Sequence, residues 1–226
     1  MGDFAVIEIS ESQSAGAGKA NSPKLILEAT IATIMDIVVK AWPEVVNSSD
    51  IGPQSHENHI TDKFRWKMVA ERNKRPGLKY LFLREVQSDQ SNGTGETGKI
   101  DIYVSKGSDE SEYFAMECKR ITGHDKKNAK HYIEQGVHRF VKGKYSFGLS
   151  HASMVGYVCH GTIAEAAEFI KSSIGTHNPQ KTKMLPKWPW QAETRYGSVP
   201  NLYSTKHRQD KSNKDIKLLH LFLAFP

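Results

Sequence analysis

Apolar residues recur at helical or strand spacing along most of the chain, and short polar segments separate these runs. Helical spacing predicts a helix that begins at Pro23 and ends near Pro43, and further helices over about 55–73 and 127–142. Alternating or continuous apolar runs predict strands over 78–86, 99–105, 112–120 and 155–159. Thr162 followed by Glu165 is typical of a capping box, so another helix is expected to start there and to end at Gly175.

The two ends of the chain differ in character. Residues 1–23 are rich in Ser, Gly and Ala over most of their length, which predicts a flexible N-terminal segment with at most a short strand at its start. Near the other end, NLYSTKHR and IKLLHLFLAF flank the polar QDKSNKD, which predicts a β-hairpin whose last strand is well buried. Residues 24–226 are therefore expected to form a single mixed α/β domain around a central sheet.

Composition narrows the range of partners. The net charge of +6 suits a polyanion such as nucleic acid without requiring one. No apolar run approaches the roughly 20 residues that a bilayer crossing needs, so no membrane partner is expected. Cys118 and Cys159 both fall in predicted strands, as is typical of buried, reduced thiols in a cytoplasmic protein.

Three charged residues lie within two neighbouring predicted strands, GKIDIYV and YFAMECKR. Side chains alternate along a strand, so Glu117 and Lys119 share a face and Cys118 points away. A hairpin centred near Asp109 would place Asp101 opposite Glu117, and directly opposed residues share a face. Two carboxylates beside an ammonium predict a divalent-metal site with a catalytic lysine, because Mg²⁺ prefers oxygen ligands.

A cross-strand salt bridge on a solvated sheet face is the plain structural alternative for these three charges. Two rival Asp-x-Lys pairs occupy ordinary positions, since Asp125 lies in a polar loop and Asp215 opens the last strand. Glu117, by contrast, is the only glutamate with a lysine two residues later, and it lies in an apolar strand where a buried charge is costly.

The segments GKIDIYV and YFAMECKR resemble the PD-(D/E)xK nuclease superfamily, in which an Asp on one strand is followed by Glu-x-Lys on the next. The resemblance covers about residues 54–160, and Ile100 stands where the family's strict pattern has proline. It implies a restriction-endonuclease-like central mixed sheet flanked by helices, with an α-β-β-β-α-β core. The C-terminal β-hairpin would then be an addition, within an extension over 176–226.

The resemblance also implies roles for individual residues. Asp101 and Glu117 would bind Mg²⁺, with Mn²⁺ as an expected substitute, and the backbone carbonyl of Cys118 would add a ligand. Lys119 would assist the attacking water. Glu57 is the expected further metal ligand and catalytic residue, because it precedes Ile60 and Phe64 on one helix face.

Two further positions flank this set. Glu85, at the end of the preceding strand, competes with Glu57 for the role of additional carboxylate. Gln135, on the helix after Lys119, is the expected catalytic residue of that helix, beside Arg139. With Lys119, other basic residues would form a phosphate-holding surface around the site: Arg120, Lys126, Lys127, Lys130, Lys142, Lys144, Lys206, His207 and Arg208. Four aromatic residues are candidates for base stacking, while closure of a core under a long loop is the plainer interpretation of the tryptophans: Tyr145, Phe147, Trp188 and Trp190.

The expected function is therefore that of a metal-dependent endonuclease, a Mg²⁺-dependent deoxyribonuclease that hydrolyses phosphodiester bonds, with DNA as the favoured partner. A catalytically inactive nucleic-acid-binding protein of the same fold is the first alternative. A structural protein whose acidic and basic side chains form salt bridges is the second. Because similar nucleases often dimerise to cut both strands, a homodimer is among the expected assemblies.

Overall fold

A computed structural model describes residues 28–87, 98–107, 112–123, 125–177, 179–197 and 199–226. The predicted N-terminal segment and the predicted turn at Asp109 lie outside these residues, as does nearly all of the predicted loop 88–98. The helices are α1 (Glu28–Val46), α2 (Glu57–Asn73), α3 (Lys126–Tyr132), α4 (His138–Val141), α5 (Ile163–Thr176) and α6 (Pro179–Thr182). A π-helical turn, Ile133–Val137, joins α3 directly to α4. The strands are β1 (Tyr80–Gln87), β2 (Lys99–Lys106), β3 (Tyr113–Thr122), β4 (His151–His160), β5 (Gln191–Ala192), β6 (Leu202–Arg208) and β7 (Asp215–Ala224).

The strands form one seven-stranded mixed sheet in the order β1-β2-β3-β4-β7-β6-β5. Strand β2 is antiparallel to its neighbours β1 and β3, β4 is parallel to both β3 and β7, and β6 is antiparallel to its neighbours β5 and β7. This confirms the predicted α/β class and the C-terminal hairpin. Strand β7 is buried because it lies between β4 and β6.

Helices cover both faces of the sheet, which explains why the central strands are apolar on both sides. Helices α1 and α2 pack on one face, where Trp42 stacks on Tyr157 with the ring planes 8° apart. Helices α3 to α5 pack on the other face around Tyr132, Phe140 and Phe222. None of the described helices combines the length and the apolar character that a bilayer crossing requires.

Several predicted boundaries were wrong. Helix α1 continues past Pro43 to Val46, since a proline in the last turn removes only one hydrogen bond, and Asn47 N still donates to Pro43 O at 3.0 Å. Helix α5 includes Gly175. Strand β4 is twice the predicted length because its polar residues are satisfied by neighbouring strands, as where Ser153 Oγ donates to Leu219 O at 3.0 Å. The capping box at Thr162 and Glu165 is confirmed.

Candidate active site

Strands β2 and β3 pair in the predicted register, with Ile102 opposite Met116 as the last ladder pair before the charged residues. Beyond that pair, the Asp101 side chain, instead of a backbone carbonyl, accepts the hydrogen bond from β3. Its Oδ2 accepts a hydrogen bond from Cys118 N at 2.8 Å. Asp101 is therefore fixed between the two strands, next to the Glu117–Lys119 segment.

The Lys119 ammonium lies at the centre of the predicted ligand set. Lys119 Nζ is 2.8 Å from Glu117 Oε1, 3.1 Å from Glu57 Oε1 and 3.7 Å from Asp101 Oδ2. It also donates to the Cys118 carbonyl oxygen at 2.7 Å. All four groups expected to hold a metal thus surround a single cationic nitrogen.

Helix α2 brings Glu57, which is distant in sequence from β3, to this cluster. His56 caps the helix, its Nδ1 accepting from Asn58 N at 3.3 Å, and Glu57 is the first helical residue. Ile60 and Phe64 are fully buried on the same helix face. Because the other Glu57 oxygen, Oε2, accepts from Arg120 N at 2.9 Å, the carboxylate bridges the backbone of β3 and the Lys119 side chain.

Two arginines hold the carboxylates, and the sequence did not identify either as a site residue. Arg139 Nη1 donates to Glu117 Oε1 at 2.8 Å. Arg84 Nη1 donates to the backbone oxygen of Asp101 at 2.7 Å, while Arg84 Nε binds Asp62 at 2.6 Å. The available signals were the helical spacing of Arg139 from Gln135 and the charge of Arg84 inside the apolar run LKYLFLREV.

The structure does not bring the other two candidates into the cluster. Gln135 is exposed on the π-helical turn, four residues before Arg139, and has no contact with the carboxylates in the described part of the chain. Glu85 has a left-handed backbone (φ 50°), and its carboxylate accepts from Lys99 Nζ at 2.8 Å on the exposed end of the sheet. Of the two acidic candidates, only Glu57 reaches Lys119.

The π-helical turn passes very close to the sheet beside Glu117. A Cβ atom on Gly136 would lie 2.3 Å from Met154 Cε and 3.8 Å from Glu117 Cγ, so only glycine fits there without displacement of the methionine. This approach places Arg139, three residues later, within reach of Glu117. Turns of this type are frequent at functional sites.

Burial strengthens the electrostatic coupling of the cluster. The Glu117 side chain is fully buried, its Oε2 has no hydrogen-bond partner among the described residues, and desolvation together with Asp101 raises its pKa to about 7. Burial likewise raises the pKa of Asp101. At Lys119, burial acts to lower the pKa, but the attraction of Glu117, Asp101 and Glu57 outweighs it and raises the pKa above its ordinary value. The lysine therefore stays charged.

These residues fit a hard divalent cation by the chemistry of their donors. Three carboxylates and one carbonyl are the oxygen ligands that Mg²⁺ takes, at roughly 2.0–2.1 Å, and Glu117 Oε2 is a buried acceptor without a partner. Within the described ranges, however, no set of three or more His, Cys, Asp or Glu side chains is disposed to hold a metal ion. Lys119 Nζ lies between the oxygens, so metal binding requires the ammonium to move aside.

The two cysteine thiols and two of the predicted surface side chains take no part in this chemistry. Cys118 and Cys159 are buried and free, and burial raises the pKa of the Cys118 thiol, so it is a poor nucleophile. His207 was wrongly placed on the phosphate-holding surface: it is fully buried, its Nδ1 lies 2.7 Å from Thr182 O, and burial lowers its pKa to about 4. Tyr145 is also fully buried and cannot stack on a base.

No family model matches the chain, and searches of curated proteins and of solved structures find no match. The relation to the PD-(D/E)xK superfamily therefore stays a prediction. Any functional conclusion depends on the residues and contacts described above.

Proposed function

We propose that the protein is a metal-dependent endonuclease that hydrolyses phosphodiester bonds, with DNA as its substrate. The observation that supports this proposal is the convergence on Lys119 Nζ. Glu117 Oε1, Glu57 Oε1, Asp101 Oδ2 and the Cys118 carbonyl oxygen all lie within 3.7 Å of that atom. A surface salt bridge would need only one of these partners, whereas a metal centre needs several.

Each residue of the cluster has a role in this proposal. Asp101, Glu117, Glu57 and the Cys118 carbonyl would hold Mg²⁺ or Mn²⁺. A bound ion of this kind polarises a phosphoryl oxygen and acidifies a water molecule. Lys119, once released from the carboxylates, would orient the attacking water and stabilise negative charge at the phosphate.

The surrounding structure supports the proposal in two further ways. The order α2-β1-β2-β3-α3-β4 is the one that the PD-(D/E)xK resemblance implies for its α-β-β-β-α-β core. Arg139 binds the Glu117 carboxylate at 2.8 Å, and Arg84 donates to the Asp101 backbone oxygen and lies 3.8 Å from its carboxylate, so both acidic residues are held in place before any ligand arrives. Such preorganisation is what electrostatic catalysis requires.

The proposal is tested by incubating the protein with supercoiled plasmid, single-stranded DNA and RNA, each with Mg²⁺, Mn²⁺ or EDTA. We expect cleavage of DNA with either metal and none in EDTA. Glu117→Gln and Asp101→Asn are expected to lower the cleavage rate by at least about 100-fold, because each removes a ligand charge from the reacting centre.

Glu85→Gln is the matched control. It removes one carboxylate charge from the same sheet, but that carboxylate pairs with Lys99 at 2.8 Å and more distantly with Arg84 at 3.9 Å, and it is not among the oxygens around Lys119. Its cleavage rate should stay within about twofold of the wild-type rate, as for surface substitutions in general. If no substrate is cut with any metal, the nuclease proposal fails, and tight DNA binding without cleavage would favour the inactive nucleic-acid-binding alternative.

A further inference from the structure

A cavity of about 450 Å³ opens beside Arg139. The π-helical turn, α4 and the residues that follow it form most of its wall, and Gly98 closes one side. Its lining consists of Gly98, Glu134, Gln135, His138, Arg139, Lys142 and Lys144. The cavity therefore adjoins the candidate active site. Arg139 lines the cavity and also binds Glu117 in the active site.

The charge of this lining is positive. Lys142 is exposed and Lys144 is half-buried, and neither ammonium has an ion-pair partner within the parts of the chain that the structure covers. The one acidic residue of the wall, Glu134, is 3.8 Å from Lys130 and so has its own counter-ion. With Arg139, the cavity presents three cationic side chains against one acidic residue.

His138 contributes to the wall, but its Nε2 atom is not accessible from the cavity. Its side chain is only 5% exposed, Nε2 is buried without a hydrogen-bond partner in the described structure, and the ring lies 5.1 Å from that of His177. The cationic groups that a ligand in the cavity can reach are therefore those of Arg139, Lys142 and Lys144.

The remaining wall is rigid. A Cβ atom on Gly98 would lie 2.9 Å from Tyr145 Oη, so the backbone there touches the tyrosine directly. Tyr145 Oη donates to Lys99 O and accepts from Arg139 Nη1 at 2.9 Å. Because the same Arg139 nitrogen binds Glu117 at 2.8 Å, the position of the guanidinium is fixed from two sides.

We propose that this cavity binds a phosphate group of the nucleic-acid strand, next to the phosphodiester that is cut. The assignment rests on the proposed function for the identity of the strand. An arginine and two lysines supply the positive charge and the N–H donors that suit the several oxygens of a phosphate. The shared residue Arg139 would then set the distance between the bound phosphate and the reacting one.

The test measures binding in EDTA, so that it does not depend on cleavage. A fluorescently labelled DNA oligonucleotide is titrated with wild-type protein and with the double variant Lys142→Ala/Lys144→Ala, and anisotropy is followed at several salt concentrations. We expect the dissociation constant of the double variant to rise by about 10-fold or more, and the slope of its logarithm against that of the salt concentration to fall by about 1, as for the loss of one neutralised phosphate.

The matched control is Lys79→Ala/Lys106→Ala. These two exposed lysines carry the same charge but lie at the other end of the β1–β2 pair from Lys99. The control should change the dissociation constant by less than about threefold, the part that net charge alone explains. Melting temperatures of both variants show that they are folded, and the single exposed change Lys142→Glu serves as a second cavity variant.

The possible outcomes separate this inference from the proposed function. Equal loss of binding in the cavity and control variants would overturn the phosphate site even if the protein cuts DNA. Selective loss in the cavity variants would support the site even if no cleavage is found. A second arm uses inorganic phosphate as the probe: if it stabilises the wild type but not the cavity variants, and no oligonucleotide binds, the ligand is a free anion and the assignment to a strand is wrong.

Discussion

At the scale of single residues, Lys119 determines the charge balance of the site. Three carboxylates face its ammonium, and Glu117 and Asp101 are both buried enough for their pKa values to be raised. Without a cation between them, these carboxylates would repel one another in a region of low polarity. Either the lysine or a metal ion must therefore stabilise the folded site.

Lys119→Met removes the charge and keeps most of the apolar volume. We expect the metal-free variant to lose about 3 kcal/mol of unfolding free energy, the usual cost of leaving one side of a buried ion pair alone. Added Mg²⁺ should then raise the melting temperature of the variant more than that of the wild type, because the ion no longer competes with the ammonium. Thermal unfolding with and without Mg²⁺ measures both effects.

The control for this substitution is Lys99→Met, which breaks only the exposed pair with Glu85. It should cost less than about 1 kcal/mol and show no Mg²⁺ dependence beyond that of the wild type. If Lys119→Met loses stability and Mg²⁺ restores none of it, the cluster is a structural network of salt bridges, as the second alternative to the nuclease proposal holds.

The separation along the sequence between contacting residues determines how much of the site could be predicted. Strand parity and the hairpin register depend on local sequence, and they brought Asp101, Glu117 and Lys119 together correctly. Helical spacing did the same for Glu57. The contact of Arg139 with Glu117 depends on a π-helical turn and on the bare backbone of Gly136, neither of which has a periodic signal in the sequence. The spacing of Arg139 from Gln135 marks it as a neighbour of the expected site, but its contact with Glu117 is visible only in the tertiary structure.

At the scale of elements, the close fit of the central strands explains both the successes and the errors in the predicted boundaries. Apolar periodicity identified the order of helices and strands, but the ends of β4 depend on pairing with β3 and β7 on either side. Gly156 lies in the middle of β4, paired with Lys119 of β3, and a Cβ atom there would be 2.5 Å from Ile121 Cδ1 and 2.9 Å from Phe222 Cδ1.

Gly156→Ala should therefore destabilise the protein by about 1–3 kcal/mol, because a methyl group would be forced into a filled core. Gly175→Ala is the matched control: nothing lies within 4 Å of its Cβ position, and the residue is helical. That change should stabilise the protein by about 0.4–1 kcal/mol, because alanine reduces the conformational entropy of the unfolded chain and has a higher helix propensity than glycine. Urea denaturation of the two variants compares them, and equal shifts would show that Gly156 is not tightly packed.

At the scale of the whole molecule, buried histidines concentrate in the half of the sheet formed by β4, β6 and β7. His151, His207 and His220 are all at most 9% exposed. Thr205 Oγ1 joins two of them, at 2.7 Å from His207 Nε2 and 2.8 Å from His220 Nε2. Burial lowers the pKa of His151 and of His207 to about 4, and it lowers that of His220 well below its ordinary value.

These values predict acid sensitivity of the fold. An unfolded histidine titrates near pH 6.5, so between about pH 6.5 and 4 the unfolded chain binds histidine protons that the folded protein excludes, and the contribution of these histidines to stability falls as the pH is lowered. Glu117, whose pKa is raised to about 7, acts in the opposite direction over this range, so the comparison of variants isolates the histidines. Above pH 7 the unfolding free energy should be nearly constant with respect to these groups. At pH 5, the exclusion of a proton from His151 and from His207 should each lower the free energy of unfolding by about 2 kcal/mol relative to pH 7.5. This is a large part of the roughly 5–15 kcal/mol by which a domain is stable.

Urea denaturation at pH 7.5, 6 and 5 measures this loss. His207→Gln should be less stable than the wild type at pH 7.5, because its two hydrogen bonds to Thr182 and Thr205 are disturbed, but its stability should fall less steeply between pH 6.5 and 5. His131→Gln, at an exposed position, should keep the wild-type slope. If the unfolding free energy of the wild type falls no more steeply between pH 6 and 5 than that of His207→Gln, then His207 takes up a proton in the folded state, contrary to its burial.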